Sequence, residues 1–107
     1  MFLVADAFTN VNRKQFIDFA TANRIPAMYE SSLIVREGGL MSYGSSTEDE
    51  FREAARYIDR IFKGAKPADL PAEQPIRYYL TVNRKTAAAL GLAIPPPLRM
   101  RIDELVE

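Results

Sequence analysis

The chain has 107 residues, room for one modest core, and its 48% apolar and 26% charged residues set it far from a disordered polypeptide. Lys plus Arg equals Asp plus Glu at 14 each, so no net field draws it to a nucleic-acid backbone or an anionic membrane surface. With no Cys and no His it lacks thiol nucleophiles, disulfides, imidazole bases and the usual zinc, copper or haem ligands, which excludes most familiar catalytic kits.

Phe2-Leu3-Val4-Ala5 is an apolar run that stops at Asp6, the pattern of a strand buried on both faces. From Asn12 the spacing turns helical. Asn12 stands as N-cap, Gln15 follows at capping-box distance, and Phe16, Ile17 and Ala20 share one stripe as far as Asn23. Ile25 to Tyr29 reads as a second strand with Pro26 near its start, and Ser31 or Ser32 caps a helical turn ending at Gly38-Gly39. Leu40 to Tyr43 is a third strand, running into Gly44-Ser45-Ser46. Thr47 and Glu50 then form a capping box for a helix with Phe51, Ala54, Ala55, Ile58, Ile61 and Phe62 at helical spacing and Gly64 at its end.

Ala65 to Pro75 holds three prolines and no periodicity, as a segment crossing between layers or lobes does. Ile76 to Val82 alternates and is rich in β formers, a fourth strand, and Asn83 caps a helix that ends at Gly91. Pro95-Pro96-Pro97 leads into a last helix with Leu98, Ile102, Leu105 and Val106 on its apolar stripe. Strands alternating with helices predict an α/β fold, a small and mainly parallel sheet with flanking helices. Four short strands would leave apolar edges exposed unless another chain or segment covers them, which predicts a homo-oligomer.

Ligands of open α/β sheets bind outside the carboxyl ends of the strands, and three loops lie there. Asp6-Ala7-Phe8-Thr9-Asn10 offers a carboxylate, an aromatic and an amide, although Asp6 and Asn10 also suit plain turn and cap roles. Ser42-Tyr43-Gly44-Ser45-Ser46 leads into a helix N-terminus suited to an anion, or to ordinary capping. Tyr29-Glu30 could set an aromatic face and a carboxylate beside a ligand amine, or simply pack. No dinucleotide or P-loop fingerprint is present, no cofactor is expected, and no nucleophile–base pair is visible.

Pro26 to Glu30 reads PAMYE, Gly38 to Gly44 GGLMSYG, Gly64 to Pro71 GAKPADLP, and Leu80 to Leu92 LTVNRKTAAALGL. In this order and spacing they resemble the C-terminal third of the ABC transporter substrate-binding proteins, TrpX-like members among them. The resemblance implies part of a two-lobed, Rossmann-like periplasmic-binding-protein fold of type I. Residues 1–38 and 76–107 would be second-lobe-like, 39–64 first-lobe-like, and 65–75 a crossing segment.

It further implies a small-molecule ligand such as an amino acid, held without chemical conversion by Asp6, Phe8, Asn10, Tyr29, Ser42 and Tyr43. An ABC permease would be the partner of a full-length protein, and the setting would be periplasmic or extracytoplasmic. The N-terminus shows no signal-peptide pattern, so the chain expressed alone is expected in the cytoplasm. The alternative reading is a cytoplasmic sensory or oligomerisation module that reuses the same fold.

Overall fold

The computed structural model describes residues 1–74 and 77–107. Two short elements open the chain, strand β1 (Phe2–Leu3) and helix α1 (Ala7–Val11), followed by α2 (Arg13–Ala22), β2 (Met28–Tyr29), α3 (Ser32–Arg36) and β3 (Met41–Gly44). Helix α4 (Thr47–Phe62) and a 3-10 turn (Pro67–Asp69) come next. Strand β4 (Tyr79–Asn83), helices α5 (Arg84–Ala89) and α6 (Pro96–Arg99), and strand β5 (Glu104–Val106) complete the order.

The five strands form one sheet in sequence order. β1–β2, β2–β3 and β4–β5 are parallel, and only β3–β4 is antiparallel, so the expected mainly parallel α/β sheet with flanking helices is what forms. Two compact units result: Met1–Gly44 with Tyr79–Glu107, and Ser45–Tyr78. The second is an insertion between strand neighbours, since Gly44, where the chain leaves β3, pairs with Tyr79, where it enters β4.

The first unit holds the core. Ile17 and Ala20 from α2 pack with Ala27, Tyr29 and Ile34, and Leu3 lies against them. Val35 is fully buried, and Leu40, Leu80, Val82 and Ala87 are buried as well. Among the described residues three polar ones are buried in the ladder, Asn83 and the register partners Ser42 and Thr81. Among the described residues no buried side-chain polar atom lacks a hydrogen-bond partner. In the inserted unit α4 buries no residue at all.

Several expectations need correction. The predicted helix from Asn12 is two helices, and Asn12 makes no side-chain N-cap. Its amide instead donates to the Phe8 carbonyl at 2.9 Å, closing α1, while the cap that starts the helical segment is Asp6. The predicted cap at Thr47 moves one residue upstream. Ser46 is the N-cap, accepting from the Asp49 N–H at 3.3 Å, and the Ser45 hydroxyl donates to the Glu50 carboxylate.

Of the predicted strand Ile76 to Val82, Ile76 lies outside the described residues, as does Pro75 of the crossing segment; the strand observed runs Tyr79–Asn83. The last helix is only Pro96–Arg99, and Leu105 and Val106 belong to a fifth strand that the sequence did not announce. Asn83 caps α5 as expected, with its side chain accepting from the Thr86 N–H at 3.0 Å.

Candidate ligand-binding site

Because β1, β2 and β3 run parallel, their carboxyl ends face one way; the chain that follows β1 and β2 stays in the same compact unit, whereas the chain that follows β3 enters the inserted one. After β1, Asp6 begins α1. Its carboxylate accepts from the Thr9 N–H at 2.7 Å, and the Asp6 N–H donates to the Thr9 hydroxyl oxygen at 2.9 Å, a reciprocal capping box. The same hydroxyl donates to the Val4 carbonyl at 2.9 Å, so the loop is pinned from both sides.

That geometry presents Phe8, which is 69% exposed and meets Phe16 edge-on with ring centroids 6.4 Å apart. Asn10 is exposed on the same turn. Its backbone N–H donates to the Asp6 carbonyl at 3.0 Å and its carbonyl accepts from Arg13 at 2.9 Å, which leaves the side-chain amide outside these bonds.

The other predicted positions fall in the sheet. Tyr29 and Ser42 are register partners across β2–β3, and each is only 1% exposed. Burial pushes the Tyr29 phenol above its ordinary value, because an ionised ring oxygen would lose its water there. Gly39 makes room for that ring: a Cβ at Gly39 would sit 2.8 Å from Tyr29 Cε2. Tyr43, next along β3 and 51% exposed, pairs with Leu80. The structure therefore brings Asp6, Phe8 and Asn10 together on one helical turn and Tyr29, Ser42 and Tyr43 together on two adjacent strands.

The two groups are joined by a residue that the sequence offered only as a partner for a ligand amine. Glu30, the first residue beyond β2, accepts the Ala5 N–H on its carboxylate at 3.0 Å. The start of α4, to which the sequence assigned an anion, is already satisfied by its own Ser46 cap and carries Glu48, Asp49 and Glu50 in its first turn, which repel one. Among the described residues no cluster of acidic side chains is arranged to hold a metal ion, and no helix is long and apolar enough to cross a membrane. The exposed edge offers hydrogen-bonding groups and aromatic faces, the equipment of recognition.

The family model described as ABC transporter substrate binding protein matches residues 2–106. None of the curated proteins matches the sequence. A conserved domain protein from Vibrio cholerae O1 biovar El Tor is similar in structure, with TM-score 0.85 and 21% identity over 97% of this chain and 35% of its own. So is an ABC domain from Streptococcus pneumonia in complex with L-Trp, with TM-score 0.86 and 24% identity over 94% of this chain and 35% of its own. The ligand-free, open structure of a substrate binding protein with adhesive properties from Clostridium difficile follows at TM-score 0.67 and 22% identity over 98% of this chain. This chain spans 35% of each of the three. At these identities the likeness is one of fold, and the fold is part of a periplasmic-binding-protein architecture.

Proposed function

The chain belongs to the ABC transporter substrate binding protein family, and from that premise we propose that it is a solute-binding part of an ABC-type import system. Its ligand is a small solute such as an amino acid, held without chemical conversion and passed to an ABC permease outside the cytoplasm. The observation that carries this reading is the family match, which runs from Phe2 to Val106. The L-Trp complex of a structurally similar protein supports an amino acid as the first ligand class to test.

In this reading residues 1–38 and 76–107 belong to one lobe, 39–64 to the other, and 65–75 cross between them. The division into two compact units, with the insertion leaving and re-entering at the paired Gly44 and Tyr79, supports a chain that passes between lobes. Asp6, Phe8, Asn10 and Tyr43 are the proposed ligand contacts on exposed surface, while Tyr29 and Ser42 form the sheet that carries them. Aromatic faces such as Phe8 and Tyr43 suit an apolar or aromatic side chain, and the Asn10 amide can both donate and accept.

A ligand that binds only the native state raises the unfolding midpoint, by about 2.7 kcal/mol of added stability at a concentration 100 times its Kd. A thermal-shift screen of the chain against the amino acids, L-tryptophan first, is expected to give a saturable rise that Tyr43→Ala abolishes. No shift with any amino acid, or a shift that Tyr43→Ala leaves intact, would sink the reading or its site respectively.

A further inference from the structure

We infer that Glu30 is a positioning residue for the ligand-binding edge: its carboxylate latches the loop after β1 and so fixes where α1 presents Asp6, Phe8 and Asn10. The inference rests on the solute-binding reading only for what the edge is used for.

The β1–β2 ladder ends at Leu3↔Tyr29, so Val4 and Glu30 are the next pair in line and the main-chain pairing stops before them. An amide beyond the end of such a short strand needs an acceptor or water. The Ala5 N–H finds Glu30 Oε2 at 3.0 Å, across 25 residues of sequence. A carboxylate accepting a backbone N–H is a charge-assisted bond, stronger than the neutral ladder bond it replaces. Its position one residue before Asp6 is what matters, because the capping box of α1 starts there.

Glu30 is itself held from the other side. The Gly44 backbone approaches so closely that a Cβ at Gly44 would lie 2.1 Å from the Glu30 carbonyl oxygen. Only glycine permits that approach, and with it the ends of β2 and β3 are locked together. One residue therefore touches the chain that follows β1 and the chain that ends β3, the two segments bearing the proposed contacts. The bond to Ala5 uses one carboxylate oxygen of Glu30, Oε2.

The conservative variant separates positioning from direct ligand contact. In Glu30→Gln the carboxamide oxygen still accepts the Ala5 N–H but no longer carries charge; in Glu30→Ala the acceptor is gone. Amide hydrogen exchange of the intact chain, without ligand, is read first. Glu30→Ala is expected to speed exchange at residues 5–10 about tenfold or more, the loss of one hydrogen bond to a charged group, with Thr81 to Asn83 unchanged. Glu30→Gln is expected to stay close to the parent.

L-tryptophan titration, or titration with the amino acid giving the largest thermal shift, is read second. Glu30→Ala is expected to weaken binding about tenfold while Glu30→Gln holds within about twofold. Unchanged exchange in Glu30→Ala overturns the latch. So does faster exchange throughout the sheet, which would mark a general structural role, and so does a Glu30→Gln that loses affinity with its exchange intact, which would mark direct pairing with a ligand ammonium. If the parent chain binds no amino acid, the solute-binding reading fails by itself and the exchange measurement still decides the latch.

Discussion

Asn83 shows how much one side chain can hold. It ends β4, and its side-chain Oδ1 accepts the Thr86 N–H at 3.0 Å to start α5, while its Nδ2 donates to the Val35 carbonyl at 3.0 Å. The residue is 6% exposed, so neither partner could turn to water if it were lost. Asn83→Leu keeps the volume and strands both groups, and is expected to cost on the order of 2–4 kcal/mol, the sum of a cap and an unpaired carbonyl. Asn83→Asp keeps the cap but cannot donate to Val35, and should lie between the two. Urea midpoints rank the three proteins; equal stability of Asn83→Leu and the parent would show that water reaches the site. The cap half of this role was legible, because Asn after a β-rich run and before an alanine-rich one is a familiar N-cap. The Val35 half was not, since no local pattern reports a partner 48 residues away.

At the scale of elements, local periodicity succeeded where one element stands alone and failed where a neighbour supplies the decisive bonds. Helix α4 follows its stripe as read, with Arg52 bound to Glu48 at 3.0 Å and Lys63 to Asp59 at 2.8 Å. Leu98, Ile102, Leu105 and Val106 also share a helical stripe, yet the helix stops at Arg99. The Asp103 carboxylate accepts the Leu80 N–H at 2.8 Å and the Asp103 N–H donates to the Leu80 carbonyl at 2.9 Å, which draws Glu104–Val106 onto the open side of β4. Arg36 of α3 then grips Glu104 with two bonds of 2.9 Å. A similar clamp joins α2 to the end of α3, Arg13 to Glu37 at 2.6 and 2.9 Å. The Arg13 hydrogen bonds, and then its charge, hold the Glu37 carboxyl below its ordinary value of 4.5. A depressed folded-state value means stability that is complete above 4.5 and lost as the pH falls through the lowered value. The side chains are 35% and 36% exposed, so solvent screens the pair and the effect is small. Unfolding free energy followed through that acid range should fall less steeply in Glu37→Gln than in the parent, and identical slopes would remove the clamp from the acid response.

For the molecule as a whole, the apolar face of α4 is the largest unresolved demand. Phe51 is 73% exposed, Ile58 52%, Ile61 39% and Phe62 85%, all on one stripe of a helix that buries nothing. A contiguous apolar stripe of this kind is a binding surface or an aggregation hazard. Its charges favour a second copy: Glu48, Asp49, Glu50 and Glu53 outweigh Arg52 in the first half, and Arg56, Arg60 and Lys63 outweigh Asp59 in the second. An antiparallel pair related by a two-fold axis sets each acidic end against the partner's basic end while the two stripes close on each other. A helix of 16 residues is about 24 Å long and buries less than a standard interface, so the association should be weak. Light scattering on the 107-residue chain is expected to show a mass that climbs toward the dimer with concentration. Ile58→Glu places a charge at the centre of the stripe and should hold the mass at the monomer. A chain that stays monomeric across the same range would mean that this face does not pair with itself, and a dimer untouched by Ile58→Glu would move the contact to the open edges of the sheet, where Phe2 is 55% exposed on β1 and Leu105 45% on β5.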